Sequence, residues 1–336
     1  MIAAVCEAFG KPLVLSEVSA PSPGPAELLV RVSACGVCHS DLHLIDGEWR
    51  QWGTRPPFIP GHEVTGVVEE AGPDAAGFAP GDRVGVPWMQ FACGECAPCR
   101  EGAEMLCAAQ RGTGVTVDGG YAEFVKAPAA FVHRIPDPLD LVESAPLLCA
   151  GVTVFAPLRA AGDLAGKTVA VAGIGGLGHL AVRMASAMGA RVVAILGEEE
   201  RADLVLRLGA REILFSGTGK IGRRLSSMGG ADLVLLTAAS ARLFEQCVAG
   251  LRVNGTLVVL ATVAESASIV PAALLQGRKT IRGSVTGTRD DMDAMLRFAA
   301  EHGIAPVVER YPLGSVNEAT GRLRAGKVVF RAVLVP

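Results

Sequence analysis

Residues 168–190 read TVAVAGIGGLGHLAVRMASAMGA, and this segment is the most informative about the fold of the second half of the chain. Its first five residues form a short apolar run, as expected of a parallel strand that is buried on both faces. The residues that follow place apolar side chains at helical spacing, at Leu177, Leu180, Ala181, Met184, Ala185 and Met188. The stretch therefore predicts a strand, a glycine-rich turn and a helix in direct succession.

The turn carries glycines in the pattern G-x-G-x-x-G, at Gly173, Gly175 and Gly178. The first glycine permits the tight turn, the second lets a pyrophosphate approach the backbone, and the third lets helix and strand pack closely. The N-terminus of the helix then presents free N–H groups to the phosphates. In this context the pattern predicts dinucleotide binding, with Gly176 and Leu177 as further contacts, and disfavours a merely structural turn.

The choice between NAD and NADP depends on the end of the next strand, in ARVVAIL. An acidic residue there usually binds the ribose 2′-hydroxyl of NAD, but in this chain the position holds Leu196. Glutamates follow at 198–200, and a small shift of loop register would bring Glu198 to the ribose; alternatively, all three form the solvated first turn of the next helix. Arg201 is the only nearby cation. We assign Leu196 and Arg201 to the cofactor contacts and favour NAD, with NADP as the open alternative.

Strand-like and helix-like segments continue to alternate over residues 146–285, which predicts a doubly wound parallel sheet, a Rossmann cofactor domain. Residues 1–145 differ, because they are rich in glycine, proline and short β-branched runs such as EVTGVVEEAG. Short strands separated by turns predict an antiparallel, barrel-like region, and residues 286–336 end in another strand-like segment. The predicted fold class is α/β plus mainly-β, in two domains.

Composition and charge exclude several classes of protein. Half of the 336 residues are hydrophobic, so the chain is not disordered. A net charge of −3, without any run of lysines or arginines, argues against nucleic acid as a partner. Charges at Glu7, Lys11 and Glu17 interrupt the N-terminus too early for a signal peptide, and no segment approaches the roughly 18 apolar residues of a membrane span. We expect a cytoplasmic protein that binds no membrane.

Four of the nine cysteines crowd into CGECAPCREGAEMLC. They are Cys93, Cys96, Cys99 and Cys107. In a chain without an export signal, this clustering favours metal ligation over disulfides. Four thiolates can surround one zinc ion tetrahedrally and leave no open position, which makes a structural site. An iron–sulfur cluster is the alternative, but the flanking turn residues fit a small zinc lobe, residues 90–110.

Further candidate ligands lie far apart in the sequence. Cys38 is in GVCHSDLH, His62 precedes Glu63 in GHE, and Cys149 is in LLCAG. Two thiolates and one imidazole make a zinc site with a fourth position open for substrate, the arrangement of a catalytic zinc. Sequence spacing alone cannot bring these residues together.

These motifs together carry a resemblance to a known family. The chain resembles the zinc-dependent alcohol dehydrogenases of the medium-chain dehydrogenase/reductase superfamily over essentially its whole length, through CGVCHSDLH, PGHEVTGVVEEAG, GDRVGVPW, the four-cysteine lobe, LLCAGVTVF, GIGGLGH and RLRAGKVVFRAVLVP. The resemblance implies a GroES-like barrel catalytic domain over 1–145 and 286–336. It also implies two zinc ions per chain and a homo-oligomer, either a dimer or a tetramer.

The resemblance assigns roles around the catalytic zinc. The family's ligands fall on Cys38, His62 and Cys149, and its second-sphere acid falls on Glu63. Asp41 matches the carboxylate that orients the zinc-bound histidine, an interaction that fixes the imidazole for metal binding.

Four more residues match family positions that handle the proton and the cofactor. Ser40 matches the hydroxyl that touches the substrate oxygen, and His43 matches the outer base of the proton relay. His39 and Arg289 match contacts to the cofactor pyrophosphate.

Trp49 and Trp88 correspond to aromatic positions that narrow the pocket in relatives acting on small primary alcohols, while Trp52 is either further pocket wall or an exposed loop aromatic. The implied reaction is reversible oxidation of primary aliphatic or aromatic alcohols to aldehydes, with hydride transfer to NAD(P). Among enzymes, the alternative is an NADPH-dependent aldehyde reductase of the cinnamyl-alcohol dehydrogenase type. From a different class, the alternative is a non-catalytic nucleotide-binding protein.

Overall fold

The computed structural model describes residues 1–336 without a gap. The strands, in chain order, are β1 Ile2–Val5, β2 Val14–Glu17, β3 Glu27–Val37, β4 Val64–Ala71, β5 Arg83–Val86, β6 Met89–Phe91, β7 Arg111–Gly112, β8 Phe124–Pro128, β9 His133–Arg134, β10 Thr168–Ala172, β11 Arg191–Leu196, β12 Glu212–Phe215, β13 Ala231–Leu236, β14 Leu251–Val259, β15 Thr280–Gly283, β16 Val308–Pro312 and β17 Arg331–Val335. The α-helices are α1 His39–Ile45, α2 Ala97–Arg100, α3 Leu141–Ser144, α4 Ala150–Ala160, α5 Gly178–Ala187, α6 Ala202–Arg207, α7 Ile221–Ser227, α8 Ala241–Ala249, α9 Pro271–Gly277, α10 Arg289–Glu301 and α11 Val316–Arg324.

The chain divides into two compact units. Unit 1 comprises residues 1–149 and 287–336, and unit 2 comprises residues 150–286. No single helix is both long and apolar enough to cross a bilayer. Segments 141–148 and 150–160, which meet at a bend of 58°, reach the necessary length and apolar composition only when taken together.

Unit 1 is built on a sheet of seven strands in the order β16-β17-β3-β4-β5-β9, with β8 paired to β3. The central strand β3 pairs antiparallel with β4, β8 and β17. Alternate residues of its first half, Leu28, Val30 and Val32, enter the hydrophobic core, which is the pattern of a strand with one buried face. Register shifts between β3 and β4 bend the pair. The predicted mainly antiparallel region is confirmed.

Unit 2 contains a parallel sheet in the order β12-β11-β10-β13-β14-β15. Numbered within the unit, this order is 3-2-1-4-5-6, which is the Rossmann topology. Every residue of β10 is buried, as predicted for a strand covered on both faces, and α5 follows the glycine turn. The direction of winding reverses between β10 and β13, and in such sheets ligands bind at this reversal, beyond the carboxyl ends of the strands.

Candidate active site and metal centres

Antiparallel pairing brings the first candidate ligands of unit 1 together. Cys35, near the end of β3, lies opposite Val64 at the start of β4. Cys38, just after β3, and His62, just before β4, therefore meet at the same end of the strand pair although 24 residues separate them in the chain. The close approach also requires Gly36, because a Cβ there would lie 1.9 Å from a carboxylate oxygen of Glu63.

Four metal-ligating side chains converge at this point. The ligand atoms of Cys38, His62, Glu63 and Cys149 all lie within 4.8 Å of one another. Cys149 reaches the group from the end of a 3-10 helix, Ala145–Leu148, while His62 and Glu63 are fully buried. Three separate segments of the chain thus contribute to one compact group.

Asp41 organises this group from the first turn of α1. Its Oδ2 accepts hydrogen bonds from the backbone N–H of Cys38 and from the hydroxyl of Tyr121, each at 2.9 Å. Its Oδ1 lies 2.9 Å from Nδ1 of His62. A carboxylate only accepts hydrogen bonds, so Nδ1 of His62 carries the proton in this contact. The imidazole is therefore fixed in both orientation and tautomer.

The remaining nitrogen of His62 provides a test of whether the group fits a metal. Nε2 is buried and has no hydrogen-bond partner, which costs free energy unless something coordinates it. With Nδ1 protonated, Nε2 presents its lone pair towards the thiols of Cys38 and Cys149. Two sulfurs and an imidazole nitrogen are the donor set of a catalytic zinc site with an open fourth position, so the residues fit zinc.

The electrostatics of the group are strongly perturbed. A hydrogen bond from Cys149 holds the pKa of Cys38 well below its usual range, and the same contact raises the pKa of Cys149 well above it. Burial lowers the pKa of His62, but the Asp41 carboxylate and other contacts outweigh burial and leave the pKa well above its usual value. Perturbed titratable groups that cluster at one point are a mark of functional sites.

Glu63 forms a buried ion pair with Arg331. Burial raises the pKa of Glu63 to about 7, against the opposing effect of the Arg331 guanidinium, which contacts both carboxylate oxygens. Arg331 opens β17, and the pairing of β17 with β3 places it beside the end of β3. Arg331 was missed from the sequence, although a single arginine within VVFRAVLVP signals a buried charge that needs a partner.

The four-cysteine lobe forms a second ligand group. The sulfurs of Cys93, Cys96, Cys99 and Cys107 all lie within 4.8 Å of one another. Backbone N–H groups point at two of the sulfurs, with the N–H of Cys93 3.4 Å from the sulfur of Cys107 and the N–H of Cys96 3.4 Å from that of Cys93. Hydrogen bonds from the backbone of Glu95 and of Cys96 to the sulfur of Cys93 lower the pKa of that thiol to about 6. Cys93 thus favours the thiolate form that a metal requires, whereas burial and the neighbouring Cys96 side chain raise the pKa of Cys99 to about 12.

An ion pair ties this lobe to α10. The guanidinium of Arg289, at the start of α10, binds both carboxylate oxygens of Glu104 at 2.8 and 2.6 Å and lies over the ring of Phe131. Glu104 sits between the third and fourth cysteines of the lobe. The expected pyrophosphate contact of Arg289 stays a prediction, and its pairing with Glu104 is not apparent from the sequence.

Helix α1 carries the three residues expected to handle proton and pyrophosphate. Ser40 and His43 are three residues apart and so share one face of the helix. His39 is exposed at the first position. Nδ1 of His43 lies 2.5 Å from Oε2 of Glu48, and the His43 ring stacks on Trp49 at 4.6 Å between centroids. The contact of His43 with Glu48 is not apparent from the sequence, because nothing there distinguishes Glu48 from the other acidic residues.

The glycine turn of unit 2 shows which glycines the chain itself needs. At Gly173, where φ is +99°, a Cβ would lie 2.6 Å from that of Ala238, and at Gly178 a Cβ would lie 2.0 Å from the carbonyl oxygen of Gly173. At Gly175 a Cβ would meet nothing within 4 Å. Packing therefore explains the outer two glycines but not the middle one, and open space above its backbone is what an approaching pyrophosphate requires.

The rest of the predicted dinucleotide contacts lie around this turn and the end of β11. Gly176 and Leu177 are half-buried in the turn, and Leu177, at the N-cap of α5, supplies no side-chain acceptor to the first N–H groups. Leu196 ends β11 and is buried. The glutamates 198–200 are exposed, and Arg201 ends the 3-10 turn that precedes α6.

Comparison with known proteins covers both units. Residues 24–137 match the alcohol dehydrogenase GroES-like domain family, and residues 176–301 match the zinc-binding dehydrogenase family. An alcohol dehydrogenase of Geobacillus stearothermophilus is 42% identical over 338 residues, 99% of each chain. The NADP-dependent alcohol dehydrogenase C of Mycobacterium tuberculosis is 36% identical over 96% of this chain and 95% of its own. The solved structure of a cinnamyl alcohol dehydrogenase from Sorghum bicolor superposes with a TM-score of 0.89 at 33% identity, over 99% of this chain and 97% of that one.

A GroES-like domain and a Rossmann sheet in one chain define a zinc-binding dehydrogenase, the class to which both matched segments point. The chain belongs to the zinc-type alcohol dehydrogenases of the medium-chain dehydrogenase/reductase superfamily and is an oxidoreductase. The family and the fold class expected from the sequence are both confirmed.

Proposed function

We propose that this protein catalyses the reversible oxidation of primary alcohols, aliphatic or aromatic, to aldehydes, with zinc in unit 1 and NAD(P) at the glycine turn of unit 2. The observation that carries the proposal is the buried, unpartnered Nε2 of His62, which faces two cysteine thiols in a group that fits zinc. When bound there, zinc supplies the Lewis acid that polarises the alcohol or carbonyl oxygen. Unit 1 is then the catalytic domain and unit 2 the cofactor domain.

Cys38, His62 and Cys149 would hold this zinc. Asp41 keeps Nε2 of His62 in place by accepting the proton of Nδ1, as outer-sphere carboxylates do in metal sites. Glu63 lies next to the ligands with its charge balanced by Arg331. That pairing keeps Glu63 from becoming an unpaired buried charge.

Ser40 and His43 would carry the proton away from the substrate. The Ser40 hydroxyl can accept the proton of the alcohol and pass on its own. His43 lies on the same face of α1, and its Nδ1 contact with Glu48 leaves Nε2 as the nitrogen that accepts a proton. Trp49 stacks on the ring and holds its plane.

The four-cysteine lobe would hold a second zinc, which brings the content to two ions per chain. The sulfurs of Cys93, Cys96, Cys99 and Cys107, which lie within 4.8 Å of one another, would supply all four ligands of a tetrahedral ion. A site with no open position stabilises the fold and does not catalyse. The Arg289–Glu104 ion pair attaches this lobe to α10.

For the cofactor we propose NAD. The exposed glutamates 198–200 follow β11 directly, and their charge repels the 2′-phosphate of NADP. The alternative is an NADPH-dependent aldehyde reductase of the cinnamyl-alcohol dehydrogenase type, which the buried Leu196 favours because no acid ends β11 to bind the ribose 2′-hydroxyl.

Initial rates of aldehyde reduction separate the two assignments. Benzaldehyde and acetaldehyde, each with NADH and with NADPH, should be reduced faster with NADH on our proposal, and alcohol oxidation should follow the same preference. A clear preference for NADPH with benzaldehyde would instead establish the reductase. Failure to reduce either aldehyde with either cofactor would contradict both assignments.

We also propose that the protein forms a homo-oligomer. Val270, at the N-cap of α9, and Leu275, within α9, are 70% and 79% exposed, and β15, the next element in the chain, is one of the two edge strands of its sheet. Exposed apolar side chains beside an open strand edge are typical of subunit interfaces. Light scattering after size exclusion should give a dimer or tetramer mass, and Leu275→Glu should reduce it. A monomer mass for the unaltered chain would contradict this proposal.

A further inference from the structure

The three tryptophans of the chain form one continuous wall in unit 1. The ring of Trp49 lies 4.5 Å from that of Trp52, and Trp52 meets Trp88 edge to face at 5.8 Å. Trp88 in turn meets the ring of His62 at 4.9 Å, and Trp49 stacks on His43. The wall therefore starts at a proposed zinc ligand and ends at the proposed proton acceptor.

A single turn of 3-10 helix builds the middle of this wall. Trp49 precedes the helix Arg50–Trp52, and the N–H of Trp52 donates to the carbonyl oxygen of Trp49 at 2.9 Å. Residues three apart are eclipsed in a 3-10 helix, which brings the two indoles against each other with their planes tilted by 32°. Gly53 then ends the turn with φ at +95°, a backbone conformation that favours glycine.

Trp52 is the part of the wall that faces solvent. Its side chain is 49% exposed, whereas a tryptophan in a soluble protein usually buries most of its ring. Trp49 and Trp88 hold the indole on two sides, so the exposed surface is rigid. A rigid, open aromatic surface binds planar apolar groups at little entropic cost.

From this arrangement we propose that Trp52 determines substrate specificity by binding an aryl group of the alcohol. The inference rests on the proposed function, which puts the hydroxyl of the substrate at the group of Cys38, His62 and Cys149. One indole, that of Trp88, separates Trp52 from His62. Trp52 therefore contacts the distal end of the substrate and not the reacting carbon. The favoured substrates are primary alcohols whose aryl ring is carried a few bonds from the carbinol carbon, as in cinnamyl alcohol, over short alkanols.

The experiment compares Trp52→Ala and Trp52→Phe with the unaltered, zinc-loaded protein on ethanol, benzyl alcohol and cinnamyl alcohol. Gln51→Ala is the matched control, because Gln51 is exposed in the same turn and belongs to no ring contact. The readout is the ratio of kcat/KM for cinnamyl alcohol to that for ethanol. Trp52→Ala should lower this ratio about tenfold, mainly through KM for cinnamyl alcohol, since aromatic contacts of this kind are worth about that factor. Trp52→Phe should keep most of the ratio, and Gln51→Ala all of it.

Three outcomes would overturn the proposal. An unchanged ratio in Trp52→Ala would mean that the indole does not touch the substrate, and a raised ratio would mean that it narrows the pocket. A ratio that falls as far in Gln51→Ala would show a general effect on the loop.

Fluorescence gives a second readout that needs no turnover. Every tryptophan of the chain lies in the wall, so intrinsic emission should change as cinnamyl alcohol binds, with a weaker apparent affinity in Trp52→Ala. If no alcohol is oxidised but the emission still changes with cinnamyl alcohol and the affinity is weaker in Trp52→Ala, the proposed function is wrong and the binding of an aryl group by Trp52 is supported. If alcohols are oxidised but neither the emission change nor the ratio of kcat/KM values depends on Trp52, only the proposal that Trp52 binds an aryl group is wrong.

Discussion

Asp41 and His62 form a fully buried pair, with 2.9 Å between Oδ1 of the carboxylate and Nδ1 of the imidazole. The same carboxylate bonds the N–H of Cys38 and the hydroxyl of Tyr121. One side chain at the start of α1 therefore positions two proposed zinc ligands that lie on different segments. We therefore expect the loss of the Asp41 carboxylate to weaken zinc binding before it affects other properties.

We expect Asp41→Asn to weaken zinc binding at the catalytic group by about tenfold to a hundredfold, the usual effect of losing an outer-sphere partner. An amide keeps the shape but carries no charge, and with its oxygen towards His62 its NH2 group would face the backbone N–H of Cys38, which Oδ2 now accepts. Competition with a chelator, monitored by zinc release, gives the measurement. Tyr121→Phe is the control, because it removes one hydrogen bond to Asp41 and leaves the carboxylate. Equal affinity in Asp41→Asn and the unaltered protein would show that Asp41 does not position His62.

The pair of His43 and Glu48 predicts a change in pH dependence. His43→Ala should leave a slower enzyme that is partly rescued as pH rises, because hydroxide then replaces the missing base. Glu48→Gln should lower the rate less than His43→Ala does, because it changes only the contact that orients the imidazole and leaves the base in place. The measurement is kcat/KM against pH. Identical profiles for His43→Ala and the unaltered enzyme would exclude the relay.

The four-cysteine lobe predicts a loss of stability when one sulfur is removed. Cys99→Ala should lower zinc content from about two ions per chain to about one and lower the melting temperature, since structural zinc contributes folding free energy. Metal analysis and a thermal melt provide the two readouts. Cys247→Ala is the control, since this buried cysteine lies in unit 2 outside both ligand groups. Two zinc ions in Cys99→Ala would contradict the assignment.

The glycine turn separates a binding effect from a folding effect. Gly175→Val should leave the melting temperature nearly unaltered but weaken NADH binding at least about tenfold, because a side chain would occupy the space that the pyrophosphate needs. Gly178→Ala should instead lower the melting temperature, because its Cβ would lie 2.0 Å from the carbonyl oxygen of Gly173. NADH fluorescence and thermal melts distinguish the two. Normal NADH affinity in Gly175→Val would place the dinucleotide elsewhere.

The unit 2 fold was predictable from the sequence because its signals are local. The apolar run that became β10 and the glycines after it lie within a dozen residues, and each follows a known steric rule. The four-cysteine lobe is local in the same sense. No single motif specifies the group of Cys38, His62 and Cys149, because their meeting depends on the register of β3 with β4; only the resemblance to a family could supply it.

The contacts that the sequence did not predict are all long-range or conformational. Arg331 and Glu63 are 268 residues apart, and Arg289 and Glu104 are 185 apart, so no periodicity links them. Trp52 is ambiguous in the sequence because its role depends on a single 3-10 turn. Arg331 could have been flagged by the chemistry of a lone charge in an apolar strand, but its partner could not.

The central claim is that Cys38, His62 and Cys149 hold the metal on which alcohol oxidation depends. Its most direct test is the initial rate of NADH formation from benzyl alcohol by His62→Ala, with folding verified by circular dichroism. We predict a folded protein whose rate falls by at least about a thousandfold, since the Lewis acid is lost with its ligand. A folded His62→Ala that retains a rate within tenfold of the unaltered protein would contradict it.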